Sequence, residues 1–114
     1  MFDDFDGQFG LNWDVLGADL SHWSLSKVTG APTITTQTGP FTRGRTDYKN
    51  VFLIDCPAEK SQDFQVTTCL KSFKPVGLWN QAGVILWNDA DNHLKFVYEY
   101  GEGPRSPGLR SSAC

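Results

Sequence analysis

The chain has 114 residues, of which 39% are hydrophobic and 13% aromatic, enough apolar material for one small folded core. Its formal net charge of -3 is small and spread along the chain, which argues against a nucleic-acid partner and against an anionic membrane surface. No apolar run approaches the roughly 20 residues that a spanning helix requires, so no membrane partner is expected. The start, MFDDFDG, lacks the regions of a signal peptide, and a cytoplasmic location is expected if Met1 is the native start.

Short strands separated by breakers are predicted over the first 40 residues. Weak alternation at residues 2–7 predicts a first strand, and the mixed aromatic run at residues 11–16 predicts a turn or one loose helical turn. Residues 22–27 alternate again and predict a strand. Gly30-Ala31-Pro32 is expected to end it, because proline cannot continue a ladder of backbone hydrogen bonds. The β-branched run at residues 33–38 predicts the next strand.

The middle of the chain combines one polar loop with two predicted strands. Residues 41–49, FTRGRTDYK, are locally basic, show no clear period and predict a loop. Residues 50–56 return to strand character. Residues 63–73 form the longest alternating run and predict a half-exposed strand. Its apolar face carries Phe64, Val66, Thr68 and Leu70.

The strongest pattern lies at residues 79–98, WNQAGVILWNDADNHLKFVY, and predicts a β-hairpin. Two apolar runs, residues 82–87 and 94–98, flank a cluster of Asp and Asn, whose short side chains favour turns. Both faces of the first run are apolar, so we expect a central strand covered on both sides. The second run is expected to have one face in the core and one in water. The core-facing set is Leu94, Phe96 and Tyr98, and the water-facing set is Lys95, Val97 and Glu99.

From Gly101 onward the composition changes to glycine, proline, serine and arginine. Residues 101–114 are therefore interpreted as a flexible tail or as the miscalled end of a reading frame. The rest of the pattern gives seven or eight strands at the spacing typical of sandwiches. We predict an all-β fold in which residues 1–100 form one antiparallel β-sandwich, with the apolar face of residues 63–73 packed against the hairpin.

The three cysteines, Cys56, Cys69 and Cys114, match no metal-ligand spacing and leave one cysteine unpaired in any arrangement. A bridge from Cys56 to Cys69 between neighbouring strands is one interpretation. The favoured interpretation is that both are small reduced residues in a reducing compartment.

The hairpin and three shorter segments resemble a known superfamily. Residues 81–86, QAGVIL, followed by an Asp-rich turn and residues 92–96, NHLKF, resemble the core hairpin of concanavalin A-like lectin/glucanase sandwiches. Within that superfamily the chain is most similar to the domain of unknown function 1349 family, which includes regulation-of-enolase-like proteins. It is also similar to the carboxy-terminal sandwich of family 43 β-xylosidases. The supporting matches are Phe2-Asp3-Asp4-Phe5, Trp23-Ser24-Leu25 and Asp63-Phe64-Gln65-Val66.

The resemblance covers roughly residues 2–100 and implies a concanavalin A-like jelly roll. Members of the superfamily usually continue past this hairpin through further strands, commonly to an S-x-D-G-x-x-W turn, and no such turn follows Tyr100. The resemblance therefore implies an incomplete sandwich. Either a homo-oligomer completes the sheets, since an uncovered apolar sheet edge is normally paired, or the gene product is incomplete.

A catalytic member of the superfamily, such as a laminarinase, would carry a Glu-x-Asp-x-x-Glu strand with its carboxylates pointing into one cleft. That spacing is absent from the sequence. Glu99 and Glu102 are interpreted as solvent-facing charges, and His22 and His93 as surface histidines, because no serine or cysteine lies in a recognisable nucleophile motif. The sequence therefore predicts no catalytic residue.

Calcium binding is the cofactor hypothesis that the sequence raises, because short runs of Asp and Asn supply the oxygen ligands that this ion prefers. Partial sites are offered by Asp89-x-Asp91-Asn92 and by Asp3-Asp4-x-Asp6. Turn formation explains the first run without a metal, and solubility explains the second, so no cofactor and no metal ligand are predicted.

Sugar binding requires exposed flat aromatics, which stack on pyranose rings, and polar groups that reach the hydroxyls. The candidate carbohydrate-binding residues are Trp79, Trp87, Tyr98 and Tyr100 around the hairpin, and Arg43, Arg45 and Tyr48 in the polar loop. The competing interpretation is that aromatics in a small sandwich are core residues.

The sequence thus predicts a non-catalytic β-sandwich module with a glycan partner, either carbohydrate-binding or ancillary to a glycoside hydrolase. Much of this prediction follows from the resemblance, and a fold does not fix a function. One alternative is an intracellular regulatory or protein-interaction domain of the regulation-of-enolase-like type. The other is a truncated fragment of a glycoside hydrolase, to which it would contribute structure or one loop at the active-site rim.

Overall fold

The structure is a computed structural model that describes residues 1–39 and 44–101. Within these residues the chain forms one single-turn 3-10 helix, Leu20–His22, and short strands. The strands are β1 (Asp14–Leu16), β2 (Trp23–Val28), β3 (Ala31–Ile34), β4 (Val51–Leu53), β5 (Gln81–Trp87) and β6 (His93–Glu99). They form three antiparallel pairs, β1 with β4, β2 with β3 and β5 with β6. The predicted all-β fold class is confirmed.

The chain divides into two compact units, Met1–Gln65 and Val66–Cys114. The first unit holds β1 to β4, and the second holds the β5–β6 hairpin. Over residues 1–39 and 44–101, no helix has the length and apolar character needed to cross a membrane. The tail predicted at residues 101–114 lies, apart from Gly101, outside the described residues.

Aromatic rings around Phe9 form the core of the first unit. The ring of Phe9 lies 5.7 Å from the rings of Trp23 and Phe52, and 6.2 Å from that of Trp13. Trp23 meets Phe52 nearly edge to face at 5.3 Å and 80°, and Phe5 extends the cluster to Trp13 at 5.6 Å. Edge-to-face and tilted contacts of this kind are favourable beyond the area they bury. The cluster therefore joins the N-terminal loop to β2 and β4.

The N-terminal loop is organised by the carboxylate of Asp3, and the strand predicted at residues 2–7 is wrong. The carboxylate accepts hydrogen bonds from the backbone N–H groups of Phe5, Gly10 and Leu11 at 2.9 to 3.0 Å, and from the indole Nε1–H of Trp13 at 2.7 Å. Aspartate side chains that bind nearby backbone N–H groups offer the chain an alternative to a strand ladder. Residues 2–7 accordingly contain no strand, and Asp6 and Gly7 form a bend.

The β2–β3 pair confirms the strand predicted at residues 22–27 and corrects the one predicted at residues 33–38. β2 ends at Val28, just before Gly30, as predicted, but Ala31 and Pro32 are the first residues of β3. Trp23 pairs with Ile34, Ser24 with Thr33, and Val28 with Ala31, with an irregularity between Ser24 and Val28. Proline is tolerated here because both strands are edges and the ladder is interrupted opposite it.

The β1–β4 pair begins where the polar loop ends. Residues 44–49, the described part of that predicted loop, contain no helix or strand, as predicted, and β4 is shorter than the strand predicted at residues 50–56. Val51, only 8% exposed, is the buried apolar residue of this pair. Gly17 has a φ of +61°, and a Cβ there would lie 2.2 Å from the carbonyl oxygen of Tyr48. The close approach of the two chain segments therefore requires glycine at this position.

Among residues 1–39 and 44–101, no strand is assigned at residues 63–73. Phe64, Val66 and Leu70, the expected core face, are all exposed.

The predicted Cys56–Cys69 bridge is also wrong. Cys69 is disulfide-bonded, whereas Cys56 is a free and exposed thiol. The favoured interpretation, with both cysteines reduced, is correct for Cys56 only. Cys114 lies outside the described residues.

The predicted hairpin is confirmed, together with its turn. β5 and β6 pair residue by residue from Gln81 opposite Glu99 to Trp87 opposite His93. The carboxylate of Asp89 accepts the backbone N–H groups of Asp91 and Asn92, each at 2.8 Å, which is the turn chemistry expected of these residues.

The two faces of the hairpin are the reverse of what the pattern predicts. Leu94, Phe96 and Tyr98 are exposed, whereas Lys95 and Val97 on the other face are half-buried. In the described sheets β5 has one neighbour, β6, so the predicted central strand is also wrong. Alternation separates the two faces of a strand, but it does not identify the covered face when both carry apolar residues.

Candidate functional site

The open end of the hairpin is built by a four-residue turn at residues 77–80. The N–H of Asn80 donates to the carbonyl oxygen of Gly77 at 3.3 Å. The Asn80 side-chain oxygen accepts the backbone N–H groups of Val76 and Gly77, each at 3.1 Å. This asparagine therefore fixes the chain that enters β5.

A β-bulge joins this turn to the residue that follows β6. The N–H of Trp79 donates to the carbonyl oxygen of Tyr100 at 2.7 Å, and the N–H of Tyr100 donates to that of Asn80 at 2.9 Å. Two residues of one strand thus oppose one residue of the other, with the first in the left-handed region. Glycine is the residue usually found at that first position.

Trp79 occupies this glycine-favoured position, with a φ of +68°. Left-handed backbone costs a residue with a Cβ about 1–2 kcal/mol. Burial does not offset that cost, because Trp79 is 69% exposed. A large apolar side chain held in solvent on a strained backbone indicates a function for the side chain.

Tyr98 and Tyr100 lie beside Trp79 at the same end of the hairpin. They are 52% and 48% exposed, and as alternate residues of an extended chain they share one face. Phe73 packs edge-on against Tyr98, with ring centroids 5.8 Å apart at 82°. We call Trp79, Tyr98 and Tyr100 the hairpin-mouth platform, because the backbone places these three of the seven predicted site residues at one end of the hairpin.

Polar groups lie at the first pair of the hairpin, on the face opposite to that of Tyr98 and Tyr100. The Gln81 side-chain oxygen accepts a hydrogen bond from Nζ of Lys95 at 2.8 Å, and its amide nitrogen donates to the carboxylate of Glu99. Glu99 is exposed, as predicted, while Glu102 lies outside the described residues. The mouth of the hairpin thus carries an amide, a carboxylate and an ammonium group on one face and the exposed tyrosine rings on the other.

The other predicted site residues lie elsewhere. Trp87 is at the opposite end of β5, six residues or roughly 20 Å from Gln81 at about 3.3 Å per residue. Its ring is half-buried and stacks on that of His93, with centroids 5.6 Å apart at 24°. Trp87 is therefore not part of the platform.

The predicted donors of the polar loop belong to the first unit. Nε of Arg45 donates to the carboxylate of Asp47 at 2.8 Å, and this pairing lowers the pKa of Asp47 to about 2. Tyr48 is half-buried, and Arg43 lies outside the described residues. Because Arg45 is already engaged with Asp47, it is a weaker candidate for a ligand donor than its position in the sequence suggests.

The two acidic runs considered for calcium are engaged in hydrogen bonds with the protein. Burial raises the pKa of Asp3, but the N–H donors of Phe5, Trp13, Leu11 and Gly10 outweigh it and hold the pKa below its usual value. The amide of Asn92 is the main cause that lowers the pKa of Asp89. Within the described residues, no three His, Cys, Asp or Glu side chains are grouped to hold a metal ion.

A ring of polar side chains around buried Asn50 in the first unit has no counterpart in the sequence pattern. Nδ2 of Asn50 donates to the Gln37 side-chain oxygen at 3.0 Å, and Nε2 of Gln37 donates to the Asp19 carboxylate at 2.9 Å. The backbone N–H of Asp19 closes the ring by donating to the side-chain oxygen of Asn50 at 2.7 Å. Asn50 is only 7% exposed. We call these three residues the Asp19–Gln37–Asn50 ring.

Comparison with known proteins adds no family to these observations. No protein-family model, no curated protein and no solved structure matches the chain. The resemblance of the hairpin to concanavalin A-like sandwiches therefore stays a prediction, and the function is argued from the geometry of the site.

Proposed function

We propose that this protein is a non-catalytic carbohydrate-binding module whose binding surface is the hairpin-mouth platform. The observation that carries the proposal is Trp79, a 69% exposed tryptophan on left-handed backbone. Its indole offers a flat apolar surface to the C–H face of a pyranose ring, which is the usual way that proteins bind sugars without enclosing them. Tyr98 and Tyr100 extend this surface, so the platform suits a short oligosaccharide.

The polar groups at the hairpin mouth lie on the opposite face from Tyr98 and Tyr100, so in this proposal they meet hydroxyls of a ligand that extends past the end of the hairpin. The side chains of Gln81, Lys95 and Glu99 include donors and acceptors within one connected network. Such a network gives specificity for hydroxyl orientation, while stacking supplies most of the affinity. In this proposal the three strand pairs are parts of a concanavalin A-like β-sandwich, and the module is ancillary to a glycoside hydrolase.

The test is titration of the purified chain with xylohexaose and with laminarihexaose, followed by tryptophan fluorescence and calorimetry. We expect saturable binding of at least one of them, and we expect Trp79→Gly to abolish it while the chain stays folded by circular dichroism. Leu78→Ala is the matched control, because Leu78 is an exposed neighbour in the same turn and its loss should leave affinity unchanged. Failure of the wild type to bind any member of a broad glycan array, or full affinity in Trp79→Gly, would overturn the proposal.

A second candidate function is that of a regulatory or protein-interaction domain, the first alternative that the sequence offers. The observation that favours it is the apolar hairpin face, on which Leu86, Leu94 and Phe96 are all exposed. A face of this kind is typical of interaction surfaces. Phe96→Lys separates the two candidates, because it should disrupt self-association or partner binding in light scattering while leaving glycan binding at the hairpin mouth intact. A monodisperse monomer at all concentrations, with no change in Phe96→Lys, would remove self-association as the use of this face.

A further inference from the structure

A polar cavity of about 110 Å³ lies on the β2–β3 hairpin of the first unit and shares no residue with the hairpin-mouth platform. Apart from Trp23, the residues that line it are Ser21, His22, Ser24, Lys27, Thr33 and Thr35. This set includes one ammonium group, one imidazole and four hydroxyls, and no carboxylate. The lining is therefore rich in hydrogen-bond donors.

The irregularity in β2 explains how Lys27 comes to line this cavity. In a regular strand, residues three apart point to opposite faces, so Ser24 and Lys27 would be separated. Regular pairing is interrupted between Ser24 and Val28, and Oγ of Ser24 accepts the backbone N–H groups of Ser26 and Lys27, each at 3.2 Å. Bulges of this kind redirect side chains. Here the bulge brings Lys27 to the cavity that Ser24 also lines.

Hydroxyl donors are supplied by two neighbouring cross-strand positions. Ser24 pairs with Thr33, and the N–H of Thr35 donates to the carbonyl oxygen of His22 at 2.7 Å, which continues the same register. Residues two apart share a face, so the two positions line the cavity together. Since Oγ of Ser24 already accepts two backbone N–H groups, its hydroxyl proton is left to donate, either to Oγ of Ser26 at 3.4 Å or to a ligand.

The imidazole of His22 is oriented by Asp19. The hydroxyl of Ser21 donates to the Asp19 carboxylate at 2.6 Å, so its oxygen can only accept from the ring. Nδ1 of His22 lies 2.9 Å from this oxygen and 2.9 Å from the carboxylate, and both partners require that Nδ1 carry a proton. Nε2 is therefore the nitrogen left for a ligand.

The Asp19–Gln37–Asn50 ring in turn holds Asp19 in place. Asp19 is tied to buried Asn50 by its backbone N–H and to Gln37 by its carboxylate. Supporting hydrogen bonds behind a histidine fix its tautomer and ring orientation, an arrangement usual where the far nitrogen meets a ligand. Asp19 also caps the 3-10 helix by accepting the backbone N–H of Ser21 at 3.2 Å.

We propose that this cavity is a binding site for a small oxyanion, the carboxylate, sulfate or phosphate group of a ligand. The ammonium group of Lys27 and the hydroxyls of Ser24, Thr33 and Thr35 donate to the oxyanion. Nε2 of His22 donates as imidazolium, or accepts a hydroxyl of the ligand as neutral imidazole. The same chemistry fits a free inorganic anion and the acidic group of a charged saccharide.

The test is a set of titrations of the intact chain by calorimetry and NMR, with sodium phosphate, sodium sulfate and sodium D-glucuronate at constant ionic strength. Neutral D-glucose is the uncharged comparison. We expect saturable binding of at least one anion in the millimolar range and none of glucose. Tighter binding of glucuronate would identify a saccharide acid as the source, and tighter binding of phosphate or sulfate would identify the free ion.

Variants assign the binding to this cavity. Lys27→Met and Thr33→Val should each weaken anion binding, the first by about tenfold or more. Lys60→Met is the matched control, because Lys60 is an exposed lysine outside the cavity, and it should leave affinity unchanged. Trp79→Gly should also leave anion binding unchanged, which separates this proposal from the glycan platform. No saturable binding of any of the three anions up to tens of millimolar, or equal affinity in folded Lys27→Met, would overturn the proposal.

Discussion

The backbone N–H of Trp79 donates to the carbonyl oxygen of Tyr100, while the N–H of Tyr100 donates to the carbonyl oxygen of Asn80, the residue after Trp79. This offset pairing closes the hairpin and places a tryptophan where the backbone favours glycine. Two exposed aromatic residues are thereby fixed next to each other by main-chain hydrogen bonds. The backbone thus positions Trp79 and Tyr100, while Phe73 packs against the ring of Tyr98.

Replacing Trp79 with glycine should stabilise the protein. Trp79→Gly removes a left-handed strain of about 1–2 kcal/mol, offset in part by the greater freedom of glycine in the unfolded chain. We expect a net gain of about 0.5–1 kcal/mol in urea denaturation, together with loss of glycan binding. Trp79→Ala keeps the strain, so it should weaken binding with no gain in stability. A folding defect in both variants would show that Trp79 is a core residue.

Gly83 should tolerate no side chain. A Cβ at this position would lie 2.0 Å from the carbonyl oxygen of Phe96 and 2.7 Å from the Cα of Val97, both backbone atoms of the paired strand. Backbone cannot yield there without breaking the ladder, so Gly83→Ala should cost about 3 kcal/mol or more and lower the melting temperature. Gly77→Ala is the control, since a Cβ there meets nothing within 4 Å and its φ is not positive. Equal melting temperatures for the two variants would contradict this account.

The hairpin was predictable because its information is local. The apolar runs, the Asp and Asn turn and the pairing all fall within about 20 residues, and the register follows from the turn. Which face is covered was not predictable, since Val84 and Ile85 give both faces of β5 an apolar character. The mouth was predictable only in part: aromatics were expected there, but nothing in the pattern indicates the positive φ of Trp79.

The strand predicted at residues 2–7 failed because alternation alone is not sufficient for a strand. Asp3 takes up backbone N–H groups that a ladder would use. The Asp19–Gln37–Asn50 ring could not be predicted at all, since its members lie 13 to 31 residues apart and each is an ordinary polar residue by itself. Long-range polar contacts of this kind leave no periodic signal in a sequence.

Asn50 should be the most sensitive polar residue of the first unit. It is 7% exposed, and its amide serves both Asp19 and Gln37, so truncation leaves buried polar groups without partners. We expect Asn50→Gly, which tolerates the φ of +52°, to cost about 2–3 kcal/mol in chemical denaturation. Asn50→Ala should cost more because it adds backbone strain. Asn88→Ala, a change at an exposed turn asparagine, should cost far less, and a similar loss in both would contradict the role of the ring.

The ionised carboxylate of Asp19 should make stability depend on pH in acid. The hydroxyl of Ser21 and the amide of Gln37 lower the pKa of Asp19 from 3.8 to about 2. Because the folded pKa lies below the unfolded one, the unfolded chain binds the proton more readily as the pH falls. The stabilisation from ionised Asp19 is therefore complete above pH 3.8 and is lost as the pH falls toward about 2.

Urea denaturation at a series of pH values across this window should show a steep loss of stability in the wild type. Asp19→Asn should be less stable at neutral pH. Its free energy of unfolding should also fall less steeply in acid, by the contribution of the one proton that Asp19 binds. Asp47→Asn is the control, because Asp47 is a second carboxylate with a pKa of about 2 and pairs with Arg45. The Asp19 account requires Ser21→Ala to flatten the profile of the wild type but to leave the profile of Asp19→Asn unchanged. An effect of Ser21→Ala in the Asp19→Asn background would show that the acid sensitivity has another source.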